Sequence, residues 1–228
     1  SDVDWVRLKG HSIEVVIGPY EVYEDSLFGY KAAFESFVTR VDPEESVRLA
    51  KVVEYLNDLE RHLPIADKYK GMGRSLSSPI IVAQEIYTAG DTKAGVQTLA
   101  FNLPNDEKVR KEEGSKKVML KNVQEAKFKK ILVPIAKKVL NPKDAKDVDF
   151  EAFFAHTLLH EVSHGIGPGE ITKGGKNTTV NRELKDLYSL IEEAKADTLG
   201  VYNNMYLIEK GLYPKGFEKG LWPTYLAG

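Results

Sequence analysis

The stretch that most constrains this chain is HTLLHEVSHG at residues 156–165, which contains three of its five histidines. Within it, HEVSH at 160–164 matches the pattern H-E-x-x-H. Residues four apart on an α-helix lie one above the other, so both imidazoles can reach one ion, while Glu161 lies about 100° round the helix. Zn²⁺ lowers the pKa of water toward neutrality, and a neighbouring carboxylate can accept the proton. The spacing predicts His160 and His164 as zinc ligands and Glu161 as a catalytic base.

The residues around the motif predict a buried helix. Asp149 is a suitable N-cap, and Gly165 is expected to end the helix as a left-handed C-cap. Histidines in a buried helix need polar partners, which favours a metal over an exposed helix with two surface histidines. His156, one turn before His160, is expected to be a core or supporting group. The apolar residues that indicate burial are Phe150, Phe153, Phe154, Leu158, Leu159 and Val162.

A catalytic zinc site needs a third protein ligand, and this chain has no cysteine and no histidine after His164. The best candidates lie in IEEAKAD at 191–197, where Glu193 and Asp197 are four residues apart in a long helical pattern. One of the two can bind the metal while the other accepts a hydrogen bond from a ligating histidine. The alternative is a solvated charged face. It is disfavoured by the apolar neighbours Leu187, Leu190, Ile191, Leu199 and Val201.

The H-E-x-x-H motif followed by a helix with Glu-Glu-Ala-Lys-Ala-Asp resembles the dipeptidyl peptidase III family of zinc peptidases. That family has a Glu-Glu-Cys-Arg-Ala-Glu type of second motif, whose second glutamate binds zinc. The resemblance implies that Glu193 is the third ligand and that Glu192 and Asp197 support the ligands from behind. The best-known members have an extra residue before the last histidine of the first motif, whereas this chain has the five-residue form, as some bacterial relatives do.

Segments upstream also resemble this family, namely those at 17–25, 28–38 and 113–123. FNLPND at 101–106 is similar to a segment whose asparagines hold the free amino end of the peptide, which implies that role for Asn102 and Asn105. From the residues alone, the alternative is a strand that ends in an ordinary Pro-Asn turn.

One departure from the family concerns a tyrosine implicated in stabilising the transition state. Val16 stands at that position, and Tyr20 or Tyr23 could substitute for it. The interval between the two motifs is also much shorter than in the better-known relatives, and it begins with a Gly-rich loop over 165–176. Peptide length and specificity are therefore open.

Periodicity predicts an α+β protein. Strands are expected at 12–17, ended by Gly18-Pro19, and at 28–41, 79–87 and 97–103, the last with an exposed edge. Helices are expected at 43–63, at 121–140 with a kink or break near Pro134, and at 181–210. The expected buried positions are Val47, Ala50, Val53, Leu56 and Leu59 in the first helix, and Tyr188, Ile191, Ala194, Thr198, Val201 and Met205 in the last.

This pattern predicts two halves with a cleft between them. Residues 1–125 form a strand-rich half with one amphipathic helix, and residues 126–228 form a helical half that carries HEVSH and EEAKAD. The family continues beyond both ends of this sequence, so we expect the chain to be an excised or diverged catalytic core.

Composition excludes several classes of protein. A net charge of −2 argues against nucleic acid or an anionic membrane as the main partner, and no apolar run reaches the roughly 18 residues of a membrane helix. The lack of cysteine fits a reducing compartment and predicts a cytoplasmic location. Because the chain starts at Ser1 and not at Met, an engineered or processed start is expected, which is compatible with a lost signal peptide.

The predicted function is zinc-dependent hydrolysis of short peptides near their amino terminus, with one Zn²⁺ per chain. The alternative is a non-catalytic module that contains zinc and binds peptides or has a structural role. Glu161 argues against this alternative, because a purely structural site has no need of a base there. A second alternative, a metal-independent interaction domain, predicts no bound metal at all.

Overall fold

A computed structural model describes residues 1–20, 33–71, 79–94, 97–104, 109 and 112–228 of the chain. These residues divide into a strand-rich unit, Ser1–Val53 with Ser77–Lys127, and a helical unit, Glu54–Leu76 with Phe128–Gly228. The predicted α+β class is confirmed. The predicted domain limits at 1–125 and 126–228, and the cleft, stay predictions.

The strand-rich unit is built on a sheet of five strands, β1 (Ile13–Tyr20), β2 (Ala33–Val41), β3 (Ile80–Gly90), β4 (Ala100–Leu103) and β5 (Lys116–Leu120). Their order in the sheet is β1-β2-β3-β5-β4. β3 and β5 are parallel, and the other neighbouring strands are antiparallel. One face buries a core that includes Val16, Phe37 and Leu120. The helices of this unit are α1 (Asp2–Arg7), α2 (Pro43–Glu54), α4 (Asp91–Ala94) and α5 (Lys121–Lys127).

Two strand predictions for this unit need correction. β1 does not end at Gly18-Pro19 but continues to Tyr20. Proline is tolerated there because β1 is an edge strand of the described sheet, where a missing N–H breaks no ladder bond. β5 is a strand that the pattern does not predict, because all five of its residues are buried although two of them are lysines. Lys116 is only 1% exposed and forms an ion pair with the buried Glu14 at 3.2 Å.

The predicted helix at 43–63 begins at Pro43, as expected, but is interrupted at Tyr55. Its buried side is as predicted at Leu56 and Leu59, but Val47 and Ala50 are exposed. The predicted positions were spaced three residues apart, and on a helix of 3.6 residues per turn such a row drifts round the surface. The buried residues follow alternating steps of three and four: Leu49, Val52, Leu56, Leu59 and Leu63.

The helical unit contains α3 and a series of helices after residue 128. The predicted break near Pro134 is confirmed, since a π-helical turn at Phe128–Leu132 precedes it. Proline cannot donate a backbone hydrogen bond, and the wider turn accommodates this. The elements are α3 (Leu56–His62), α6 (Val133–Val139), α7 (Phe150–Ser163), β6 (Glu170–Lys173), β7 (Lys176–Thr179), α8 (Val180–Leu184), α9 (Tyr188–Glu209) and α10 (Glu218–Ala227).

The helix that carries HEVSH is α7. Its predicted N-cap is confirmed, because the Asp149 carboxylate accepts a hydrogen bond from the Ala152 N–H at 3.0 Å. The predicted C-cap is wrong. His164 is the C-cap residue, with a right-handed φ of −61°. The first glycine after α7 that has a positive φ is Gly167, at 83°.

The predicted helix at 181–210 is divided, with α8 separated from α9 by a short 3₁₀ turn at Lys185–Leu187. The predicted buried side is correct at Val201 but wrong at Ile191, Ala194 and Thr198, which are exposed. Hydrophobic periodicity does not detect this interface, because small and amide side chains form most of it. The buried residues of α9 are Ala196, Gly200, Val201, Asn203, Asn204 and Leu207. No helix in the described part of the chain has the length and apolar character to cross a membrane.

Candidate metal centre

The metal-centre candidates lie where α7 and α9 pack together, both within the helical unit. Gly200 of α9 faces α7 so closely that a β-carbon there would lie 3.1 Å from both Nε2 of His156 and the backbone nitrogen of His160. Buried amides also join the helices, since the side chains of Asn203 and Asn204 donate to Ser163 Oγ and to the Ala155 carbonyl. This close contact brings the carboxylates of α9 to the histidines of α7.

Three of the predicted ligands converge. His160, His164 and Glu193 each offer a ligand atom within 4.8 Å of the others. The two Nε2 atoms lie 3.2 Å apart, and Glu193 oxygens lie 3.2 Å from Nε2 of His160 and 3.7 Å from Nε2 of His164. With bonds of about 2.0–2.1 Å to zinc, tetrahedral ligand atoms are separated by about 3.4 Å. The group therefore has the spacing of a metal site.

The electrostatics of the group favour a positive charge. Burial by itself would lower the pKa of His160, but Glu193, Glu161 and Asp197 outweigh it and raise that pKa above its ordinary value. The hydrogen bond with His160 lowers the pKa of Glu193 despite its partial burial. The carboxylates of this group therefore stabilise positive charge beside them, which favours the binding of a cation there.

Glu192 holds His164 from behind. Its Oε1 accepts a hydrogen bond from Nδ1 of His164 at 3.1 Å and forms an ion pair with the Lys195 ammonium at 2.8 Å. Burial would raise the pKa of Glu192, but these two partners lower it below its ordinary value. Since the carboxylate accepts a hydrogen bond from Nδ1–H, the proton of the neutral ring is on Nδ1, and Nε2 of His164 presents its lone pair toward Glu193.

Asp197 lies behind the other two histidines of α7. Its carboxylate is 3.8 Å from Nδ1 of His160 and 3.5 Å from Nε2 of His156. Burial lowers the pKa of His156, and its Nε2 also lies 3.2 Å from the Asp197 carbonyl. The ring of Tyr225 on α10 packs edge-on against His156, and burial together with Asp197 raises the pKa of its hydroxyl. His156 thus packs against Asp197 and Tyr225, and its role as a core or supporting group stays a prediction.

Glu161 follows His160 in the sequence of α7, three residues before His164, and is partly buried. Its charge contributes to the raised pKa of His160. A carboxylate at this position can accept a proton from a reactant beside the ligand group.

The predicted substrate residues belong to the strand-rich unit. Asn102 lies in β4, opposite Lys117, and its side-chain Oδ1 is buried without a hydrogen-bond partner among the described residues. Asn105 and Tyr23 lie outside the described residues, as does the side chain of Tyr20. Val16 is buried in the core of the sheet.

Sequence reasoning missed three residues of this region: Gly200, Lys195 and Tyr225. The first two carry signals that are weak in isolation, namely a glycine within a helix and a lysine between acidic residues. Nothing in the local sequence of Tyr225 indicates that it contacts His156.

Fold and site together define an α+β protein with a His-His-Glu group that could hold a metal ion. Residues 1–207 match the family model of peptidase family M49, and the chain belongs to this family. The predicted resemblance is thereby confirmed.

Two solved structures are close in fold. Dipeptidyl peptidase III from Caldithrix abyssi is 62% identical with a TM-score of 0.92, over 100% of this chain and 43% of that one. Dipeptidyl-peptidase III from Corallococcus sp. strain EGB is 49% identical with a TM-score of 0.89, over 99% of this chain and 42% of that one.

Curated relatives include dipeptidyl peptidase 3 of Rattus norvegicus, which is 30% identical in an alignment 227 positions long that covers 87% of this chain and 30% of that protein. An Arabidopsis thaliana protein named Nudix hydrolase 3 is 47% identical in an alignment 229 positions long that covers 100% of this chain and 29% of that protein. That alignment includes the residues that match family M49. The chain therefore spans about a third of the length of these curated relatives and less than half of the solved structures.

Proposed function

We propose that this chain forms the zinc-binding part of a metallopeptidase that hydrolyses short peptides near their amino terminus. The observation that carries the proposal is the convergence of His160, His164 and Glu193 from two packed helices. Membership of peptidase family M49 and the likeness to two bacterial dipeptidyl peptidase III structures support the reaction class.

The residues present fit one zinc ion per chain. Two imidazole nitrogens and one carboxylate form a ligand set typical of catalytic zinc, which leaves a fourth position for a reactant. A zinc ion held there would act as a Lewis acid, polarising the scissile carbonyl and lowering the pKa of water.

The chain's own residues then have distinct tasks. Glu161 accepts a proton from the attacking water and returns it to the leaving amine. Glu192 orients the imidazole of His164 through Nδ1, and Asp197 does the same for His160 at a longer distance. Both carboxylates also make the ring nitrogens better ligands.

For the substrate, we propose that Asn102 and Asn105 bind the free amino end of the peptide. The buried Oδ1 of Asn102 supports this role, because a buried acceptor without a donor is costly and an ammonium group would satisfy it. β4 is an edge strand of the described sheet, so an extended peptide could pair with its free side through backbone hydrogen bonds.

A second candidate is a non-catalytic module that holds zinc and binds peptides. The observation that favours it is Val16, which is buried in the sheet where the family has a tyrosine implicated in catalysis. In that case zinc and the peptide would bind without turnover.

The test combines zinc content by elemental analysis with hydrolysis of short peptides that have a free amino end. We expect one zinc per chain, and we expect Glu161→Gln to retain zinc but lose at least about 100-fold in kcat. Glu151→Gln, an exposed glutamate on the same helix, is the matched control and should match the wild type. Zinc without hydrolysis in the wild type would mean either the second candidate or a catalytic part that needs the rest of its relatives' length, and no zinc would contradict both candidates.

A further inference from the structure

The peptide bond between Ile166 and Gly167, just after α7, is held at both ends by charged side chains. Its carbonyl oxygen accepts a hydrogen bond from the Lys195 ammonium at 3.0 Å. Its N–H donates to the carboxylate of Glu60 at 2.9 Å. The positive end of the peptide dipole therefore faces the anion, and the negative end faces the cation, which is the favourable orientation for both.

Glu60 and the bend at Gly167 hold this peptide bond in a fixed position. Glu60 lies on α3 and is only 2% exposed, and its second oxygen accepts the backbone N–H of Gly71. A buried carboxylate needs such donors to offset its lost hydration. Gly167 has a φ of 83°, which only glycine adopts readily, so the chain is bent here into a conformation that presents this peptide bond to Glu60.

Lys195 joins the held peptide bond to a predicted zinc ligand. Its ammonium bridges the Ile166 carbonyl and Oε1 of Glu192, and the same Oε1 accepts a hydrogen bond from Nδ1 of His164. A continuous chain of hydrogen bonds thus runs from Glu60 to His164, and all its members belong to the helical unit. An exposed pair between residues three apart on a helix orders its side chains only weakly, but here the lysine is anchored to the backbone as well.

We infer that Glu60, the Ile166–Gly167 peptide bond and Lys195 form a clamp that positions Glu192 and, through it, the imidazole of His164 for metal binding. The clamp residues are positioning residues, since they act on the ion only through Glu192 and His164. This inference rests on the proposed function for the identity of the metal. The clamp also explains why a lysine stands in the acidic segment EEAKAD: its ammonium holds the Glu192 carboxylate in place beside Nδ1 of His164.

The experiment measures zinc affinity by competition with a chromophoric chelator, and the tautomer of His164 by imidazole ¹⁵N NMR of the metal-free chain. We expect Lys195→Met to weaken zinc binding about tenfold and to disturb the Nδ1–H tautomer. Lys195→Arg can still donate to both oxygens and should restore most of the affinity. Glu60→Gln keeps the size of the side chain but loses one acceptor, and it should weaken zinc binding in the same direction.

The matched control is Lys121→Met in the strand-rich unit. Lys121 forms an ion pair with Glu45 at 3.0 Å and is 17% exposed, close to the 24% of Lys195. Unchanged zinc affinity and tautomer in Lys195→Met and Glu60→Gln, or equal losses in Lys121→Met, would overturn the clamp. If the wild type bound no zinc, the proposed function would fail, while the NMR measurement would still test whether the clamp orients His164. Thermal unfolding of each metal-free variant verifies that it folds. If Lys195→Met does not fold, Glu60→Gln provides the test of the clamp.

Discussion

Gly200 of α9 lies directly against the ring of His156 on α7, so closely that a β-carbon there would lie 3.1 Å from Nε2 of that ring. The same absent β-carbon lets the backbone of His160 approach α9. This contact sets the separation of the two helices at the level of the candidate metal centre. The close approach of Glu193 to the histidines therefore depends on a residue that takes no part in the chemistry.

Gly200→Ala tests this contact. Alanine normally stabilises the interior of a helix by up to about 1 kcal/mol relative to glycine. Here we expect the opposite sign, a loss of about 1–3 kcal/mol in the free energy of unfolding, because the new methyl group would force the helices apart. Urea titration of the metal-free chain measures it. Thr198→Ala, an exposed position on the same helix, is the control and should be close to neutral. A stabilised Gly200→Ala chain would contradict the tight packing.

Glu193→Gln tests the third ligand. The carboxamide keeps the shape of the side chain but removes the charge, so zinc affinity should fall by about 10-fold or more, as measured by chelator competition. The circular dichroism spectrum should not change, because Glu193 is largely exposed. Glu209→Gln, at the exposed end of the same helix, should bind zinc like the wild type. Equal affinities in the two variants would exclude Glu193 as a ligand.

The stability of the metal-free chain should depend on pH through Glu192. Burial opposes its charge, but the hydrogen bonds from His164 and Lys195 leave its pKa below the ordinary value of 4.5. A carboxyl group with a lowered pKa contributes stability that is present above 4.5 and is lost as the pH falls through its folded-state pKa. Glu192→Gln should therefore lose less stability than the wild type between about pH 6 and pH 3, in urea titrations at both values. Parallel losses would contradict the assignment.

Lys116→Met tests the buried ion pair of the strand-rich unit. Glu14 is 3% exposed, and without the ammonium its carboxylate would remain buried and unpaired, at a cost of about 3–5 kcal/mol. Adding Glu14→Leu removes the unpaired charge and should recover much of that loss. Arg61→Met, which breaks the exposed pair with Asp58, is the comparison and should cost less than about 1 kcal/mol. A double variant as unstable as Lys116→Met would count against this explanation.

Asn102→Ala tests the substrate role. If its amide holds the amino end of the peptide equally in the ground and transition states, KM should rise while kcat changes little. Steady-state kinetics on a peptide with a free amino end measures both constants, with an amino-acetylated peptide as the substrate control. Asn177→Ala, in the exposed strand β7, should leave both constants unchanged. An unchanged KM in Asn102→Ala would remove this residue from the proposed site.

The metal centre was predictable to the extent that it depends on local spacing. The i,i+4 histidines of α7 and its Asp149 N-cap are local features, and both are as predicted. From the residues alone, Glu193 and Asp197 were equivalent candidates, and the family resemblance favoured Glu193. The structure brings Glu193 to both Nε2 atoms, whereas Asp197 faces Nδ1 of His160.

The errors have physical causes as well. The buried side of α9 was misjudged because its interface with α7 uses glycine, alanine and asparagine, which do not add to an apolar pattern. The strand β5 was missed because Lys116 is buried by an ion pair with Glu14, 102 residues away in the chain. A sequence shows that a lysine is present but not that a distant carboxylate neutralises it.

The sequence by itself therefore determined the α+β class, the helix with the two histidines and the helical character of the acidic segment. These features depend on periodicity and spacing within single elements, where neighbours along the chain are also neighbours in space. Only the tertiary structure decided how α9 packs on α7, which carboxylate reaches both histidines, and that Glu60 holds the peptide bond after α7 from 107 residues away. Such contacts depend on backbones that meet only after folding, so no local pattern records them.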